Sequence, residues 1–288
     1  MRTFFIVFCV SAIVLIGSLT VTVLTLGRDN QTHVIFLDVG QGDGILITRG
    51  SWQVLIDGGA SGRVLLEKLG RYMPFWDRRI DVVIATHPDA DHIAAQIDVF
   101  ARYDVGAVIT TLAFKKSRIA TAWHSALIRS RAPTFLANEK IAIHMKEGDD
   151  RSGVLRVLFP RTATNVRAIK DVNDTSIVTY LTVGQTTFLM MGDLSQKQEA
   201  NIATVPVSVL KAGHHGSKTS SGESFIARMK PQEAIISVGA KNRYGHPAQE
   251  VLARLRRHGA YIRRTDKSGD IIYDCHFTKE DSCRYRIH

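Results

Sequence analysis

The hexapeptide His87-Pro88-Asp89-Ala90-Asp91-His92 sets four potential metal ligands within six residues. It follows Val82 to Thr86, a continuous apolar run of the kind that fills a buried strand, and it precedes a helical pattern from about Asp91 to Phe100. Side chains converge into a crevice at the carboxyl ends of buried strands, so such junctions are favoured ligand sites. A polar loop with an Asp helix cap would explain one or two of these residues, but not the whole His-x-Asp-x-Asp-His set. Any fold available to this chain must therefore bring a buried strand to a crevice and gather ligands there.

The flanking sequence supplies the layers for such a fold. His33 to Leu37, Ile45 to Thr48 and Trp52 to Ile56 read as short strands around a Gly-rich turn, DVGQGDG, and open the chain as a β-meander. Val64 to Tyr72 has helical spacing. Further strands are expected near Ala107 to Thr111, Ile141 to His144, Val154 to Leu158, Ser176 to Val183, Thr187 to Met191, Val207 to Leu210 and Ala234 to Val238. Helices are expected near Thr121 to Arg131, Gln196 to Ala203, Glu223 to Met229 and Ala248 to His258, before a terminal hairpin. Two sheets packed face to face, with helices outside, absorb this order as one layered domain.

From Phe4 to Gly27 there is no charged side chain, a run long enough to span a hydrocarbon core. Arg2 precedes it and the charges of Arg28 and Asp29 cancel behind it, so the positive-inside bias exports the remainder. Residues 1–27 thus read as an anchor, with a cleaved signal peptide as the competing reading, and 28–288 as the catalytic domain. The protein is expected to face the periplasm or exterior, or to be secreted where the leader is removed. Cys275 and Cys283 flank the turn TKEDS and either pair in an oxidising compartment or remain thiols; spacing alone does not decide. The formal net charge is +10, and Arg2 is the only charge in the leader, which leaves +9 on the domain. An anionic partner is the natural expectation.

The hexapeptide resembles the His-x-His-x-Asp-His signature of the metallo-β-lactamase superfamily, with Asp89 where the second His usually stands. That resemblance implies an α+β, four-layer αββα metallo-β-lactamase fold, here preceded by one N-terminal transmembrane or signal segment. It also implies a ligand set of His87, Asp89, Asp91, His92, Asp193 and His214. Asp57, in LIDGG, looks like the early Asp that orients a ligating imidazole, while His215 and Asn173 fall in supporting positions. FLDVGQGDGILI, THPDADHI, NDTSIV, GDLS, LKAGHHGSKTS and ISVGAKNRYGHP together resemble the hydrolase domain of the ComEC competence proteins, from about His33 to about Gly269. ComEC proteins also carry a multi-span channel, and this chain has just one apolar segment, so a role in DNA import does not carry over. The superfamily's usual middle His has no counterpart here; Asn173 and Asp174 stand at that place.

The mixed nitrogen and oxygen ligand set implies one or two divalent ions and makes Mn²⁺ a candidate beside Zn²⁺. Such a centre suits phosphodiester hydrolysis, with Asp91 and His246 in catalytic roles and Lys211, Ser217, Lys218, Lys241 and Arg243 as substrate contacts. His246 is the group expected to protonate or to stabilise charge. DNA is the expected substrate. A small ester, lactone or β-lactam is the alternative on the same scaffold, and a metal-free, anchored nucleic-acid-binding module is the alternative of another class. No feature of the sequence identifies a protein partner.

Overall fold

A computed structural model of the chain describes residues 31–145, 153–275 and 282–286. The apolar leader at 1–27 lies outside the described residues, as does most of the TKEDS turn. No helix of the described residues is long and apolar enough to cross a membrane.

Two mixed sheets form the centre. The first contains β1 (Thr32–Phe36), β2 (Gly44–Arg49), β3 (Trp52–Asp57), β4 (Arg79–Ile84), β5 (Asp104–Thr110) and β6 (Thr134–Leu136). The second contains β7 (Ala142–Met145), β8 (Gly153–Phe159), β9 (Val178–Val183), β10 (Thr186–Met190), β11 (Val209–Lys211), β12 (Glu233–Ile236) and β13 (Tyr261–Arg264). The chain then returns to the first sheet as β14 (Ile271–Cys275) and β15 (Cys283–Tyr285), giving the order β15-β14-β1-β2-β3-β4-β5-β6 beside β13-β12-β11-β10-β9-β8-β7. β1, β2 and β3 pair antiparallel, which is the expected meander. The terminal hairpin forms between β14 and β15, where Cys275 and Cys283 are joined by a disulfide.

Strand side chains alternate between faces, and here both faces are buried, which is why the strands read as unbroken apolar runs. Val34, Phe36, Ile45, Ile47, Val54, Ile56, Val82 and Ile84 meet Leu155, Val157, Leu181, Phe188, Met190 and Val209 between the sheets. The intervening residues Ile35, Leu46, Leu55 and Val83 face the other way. They pack against α1 (Gly62–Tyr72), α2 (Ala90–Ile93), α3 (Gln96–Arg102) and α4 (Arg118–Ser130) through Leu65, Leu69, Ile93, Val99, Phe100 and Trp123. On the far side, Leu189, Leu210, Ala234 and Ile236 pack against α6 (Glu223–Met229) and α7 (Gln249–Arg257), reached after the short α5 (Gln196–Glu199). Each such Leu or Ile contributes roughly 1.5–3 kcal/mol by leaving water. The layers are αββα, as expected.

Several elements differ from the sequence reading, among them β13, which lies outside the expected strands. The helix expected from Asp91 to Phe100 is divided into α2 and α3, because the Ala95 N–H turns to Gly59 O, 3.1 Å away, in the loop after β3. The helix expected over Gln196 to Ala203 stops at Glu199, whose buried carboxylate accepts from the Ser221 and Gly222 N–H groups. β6 was not expected, since its three residues are exposed at the sheet edge and carry no burial pattern.

Candidate metal centre

The centre lies where β3, β4, β10 and β11 end. Asp57 closes β3 with a left-handed backbone (φ 56°), which turns its carboxylate under the next strand end. There Oδ1 accepts the Thr86 N–H at 2.9 Å, and Oδ2 accepts the Thr86 hydroxyl at 2.7 Å and His92 Nδ1 at 2.8 Å. Because the Thr86 proton points to Asp57, the Thr86 oxygen is left to accept from His87 Nδ1, 3.0 Å away. His215 Nδ1 donates to the Ser237 carbonyl at 3.0 Å, and a carbonyl can only accept. These bonds fix a proton on Nδ1 of all three rings and leave each Nε2 to face the crevice.

Those three Nε2 atoms are buried and have no hydrogen-bond partner among the described residues. They surround Asp193, which follows β10: Oδ2 is 4.0 Å from His87 Nε2, 3.4 Å from His92 Nε2 and 3.4 Å from His215 Nε2. Asp91 Oδ2 lies 3.5 Å from His215 Nε2. Buried polar atoms are rarely left without partners, and imidazole lone pairs converging with carboxylates are the donor set a divalent cation needs. Ligand atoms lie within 4.8 Å of one another in the groups His87–His92–Asp193, Asp91–His92–His215 and Asp43–Asp193–His215. The residues present therefore fit one or two ions.

The imidazoles and carboxylates of the cluster shift one another's protonation. Burial pulls the His92 and His215 rings toward neutrality, but Asp193, aided by Asp57 at one ring and Asp43 at the other, outweighs it and raises both well above the usual value. His87, beside the positive His92, is driven by burial down to about 3 and stays neutral. Burial acts to raise the Asp91 and Asp193 carboxyls, yet the neighbouring imidazoles hold both below the usual carboxylate range. A bound cation would take the place of the protons on His92 and His215.

The opening Gly-rich turn completes the wall. Gly42 has φ 124°, and a Cβ there would meet Asp91 O at 2.0 Å, so only glycine lets this loop lie against the hexapeptide. The next residue, Asp43, is buried, with one carboxylate oxygen bonded to Lys211 Nζ and the other 3.3 Å from His215 Nδ1.

Residues 37–240 match the metallo-β-lactamase superfamily, a span that contains the whole cluster from Asp43 to His215. The chain belongs to the metallo-β-lactamase superfamily. Among curated superfamily relatives, ComE operon protein 3 of Bacillus subtilis (strain 168) is 31% identical over 85% of this chain and 33% of its own length. Competence protein ComA of Neisseria gonorrhoeae is 26% identical over 85% of this chain and 32% of its own. Recombination protein 2 of Haemophilus influenzae is 28% identical over 82% and 28% respectively. The chain thus matches about a third of the length of these curated relatives.

Within this superfamily site, the structure brings together His87, Asp91, His92 and Asp193, with Asp57 behind them. It departs from the expected ligand set at Asp89 and adds His215 to the cluster. Asp89 turns away, its carboxylate 2.8 Å from Lys115 Nζ, because a residue at the start of α2 points outward. His215 joins the ligand groups, with the expected His214 beside it. Adjacent residues in a strand would point to opposite sides, but β11 ends at Lys211, and His214 and His215 are both left-handed (φ 49° and 54°). Both rings therefore face Asp193, with His214 Nε2 at 3.6 Å and partly open to solvent.

Two expected substrate contacts are withdrawn inside. Lys211 is fully buried, its ammonium bonded to Asp43 and to Gly192 O at 3.3 Å, so no substrate reaches it. Ser217 is buried, and its hydroxyl is bonded to Thr219 Oγ1 at 3.0 Å, closing the turn after the His pair. Lys218, Lys241 and Arg243 are exposed. His246 is half-buried, its ring 5.7 Å from that of His214 and 5.8 Å from the stacked Tyr244, and Asn242 brackets its backbone. Burial, with His214 beside it, keeps this imidazole below its usual value. Among the described residues no hydrogen bond joins the Asn173 side chain to the cluster; its neighbour Asp174 is buried and accepts Ser195 N–H at 3.3 Å. Ser176, within the NDTSIV motif but given no role from sequence, links Asp193 N–H (3.0 Å) to His87 Nδ1 (3.3 Å).

Proposed function

We propose that this chain is a metal-dependent phosphodiesterase acting on DNA outside the cytoplasmic membrane, where residues 1–27 hold it. The observation that carries the reading is the convergence on Asp193 of three buried imidazole nitrogens, none of them hydrogen-bonded within the described residues. An empty binding module would have no reason to keep that cost. His87, His92, His215, Asp91 and Asp193 would hold the metal, with Zn²⁺ and Mn²⁺ as candidates for this mixed donor set. When bound, it supplies Lewis acidity, which acidifies water and offsets charge at a phosphoryl oxygen.

The chain's own side chains supply the rest. Asp57 and the Ser237 carbonyl keep His92 and His215 in one tautomer and one orientation. Asp91, the more open of the carboxylates, orients the attacking water. His246, neutral and half-buried, is placed to stabilise charge or to exchange a proton with the leaving oxygen. Lys218, Lys241 and Arg243 stand exposed on the loops that carry His215 and His246, and such cations hold a phosphate backbone in register without reading its sequence. Relatives described as competence and recombination proteins favour DNA over a small ester, lactone or β-lactam.

The test is cleavage of end-labelled single- and double-stranded DNA by the full chain with Mn²⁺ or Zn²⁺, beside Asp193→Ala. Metal-dependent cutting is expected, with a loss of at least roughly 100-fold in the variant. Intact DNA with metal bound would assign the scaffold to another ester. Absence of bound metal would leave the binding module as the better account.

A further inference from the structure

The edge of the first sheet opposite the metal centre carries an exposed aromatic pair. α1 runs back from the site edge and ends at Tyr72, and the turn that follows, Met73 to Arg78, leads into β4. At its tip Phe75 is 80% exposed and Trp76 is 50% exposed, their rings edge to face at 4.8 Å. Surface aromatics are ordinarily folded down onto the core, but these two rings stand largely exposed. Arg79 is shared between Asp81 and Asp104, and Asp77 accepts from Gln53; Arg102 is exposed, and so is Arg78, whose guanidinium lies 5.9 Å from the Tyr103 ring centroid.

The register shows what lies level with this tip. Thr32 pairs with Arg49, Arg49 pairs with Trp52, and Arg79 lies just before the Val54–Val82 pair. The start of β1 and the Phe75–Trp76 turn therefore share one edge, about 17 Å along the strands from Asp57. The apolar segment ends at Gly27, and the chain from there to Thr32 can extend at most about 18 Å. A leader seated in a membrane would thus keep this edge within about 18 Å of the lipid surface.

We propose that the Phe75–Trp76 turn inserts into the headgroup layer of a phospholipid bilayer, with Arg78 and Arg102 against lipid phosphates, so that the metal centre faces away from the membrane. Trp and Phe beside Arg suit this layer, where an apolar ring and a charged group are both satisfied. The inference rests on the reading of residues 1–27 as a membrane anchor.

The full chain would be reconstituted with phosphatidylethanolamine and phosphatidylglycerol vesicles, floated on a density gradient, and its tryptophan emission compared with and without lipids brominated near the headgroup. Flotation reports the anchor; the quenching difference between wild type and Trp76→Phe reports the tip. Quenching of about a third of the emission is expected, one tryptophan of three, and its loss in Trp76→Phe. A Phe75→Ser/Trp76→Ser variant should float, retain its fold and expose its lipid-facing edge to added protease. A chain that floats but shows equal quenching in wild type and Trp76→Phe would overturn the docking and leave the anchor standing. A chain that stays at the bottom of the gradient would overturn both.

Discussion

A lysine with no exposed surface must be neutralised where it stands, and Asp43 does this for Lys211. The same carboxylate reaches His215 with its other oxygen, so the ammonium sets the charge at one wall of the metal centre. Lys211→Met leaves buried Asp43 with only His215 to offset its charge and is expected to destabilise the fold by up to about 3 kcal/mol in urea unfolding. Adding Asp43→Asn should recover a large part of that loss; strictly additive effects would show that the two groups are not coupled. Nothing in VLKAGHH marks Lys211 as buried, and since lysines are rarely buried its neighbourhood to the ligand motif points the wrong way, toward substrate. His87, Asp91, His92 and Asp193 were legible because strand ends and motif order place them. That both His214 and His215 face Asp193 was not, because it depends on a left-handed turn at two residues without the freedom of glycine.

At the scale of elements, the site depends on a loop that only glycine permits. Gly40 and Gly42 both have positive φ, but a Cβ at Gly40 meets nothing within 4 Å, while one at Gly42 strikes the Asp91 carbonyl. Gly40→Ala should cost about 1–2 kcal/mol of backbone strain and leave metal affinity unchanged. Gly42→Ala should also weaken metal binding in a chelator competition by roughly 10-fold or more, since the start of α2 must move. Equal metal affinity in the two variants would remove Gly42 from this role. The terminal hairpin carries a different dependence. Burial acts to raise the Asp274 carboxyl on β14, but Arg286 and His33 outweigh it and hold it below the usual range. A depressed folded value means a contribution that is complete above the unfolded pKa of about 3.9 and is lost as pH falls through the folded one. Asp274→Asn should therefore flatten the fall in stability below about pH 4 and make little difference to its slope near neutrality. This hairpin was legible from its TKEDS turn, whereas the return of the chain to the first sheet was not, because partner choice between sheets leaves no local pattern.

Across the whole molecule, the ligands come from both sheets. His87, Asp91 and His92 follow a strand of the first, and Asp193 and His215 follow strands of the second, so an ion at their centre would tie together layers that otherwise meet through apolar contacts. The cluster is also where the fold concentrates its burden: without an ion, protonated imidazoles are buried against ionised carboxylates, an arrangement that is less favourable than an apolar core of the same volume. Metal binding and folding should be linked. At a free ion concentration 100 times the dissociation constant, stability is expected to rise by about 2.7 kcal/mol, and EDTA should reverse the rise. Asp193→Ala should unfold at the same denaturant concentration with or without ion, since the residue nearest all three imidazoles is gone. If wild type showed no metal-dependent shift while still binding the ion, the ion would have to bind the unfolded chain as well as the folded one, and the crevice would not be a site built by the meeting of the two sheets.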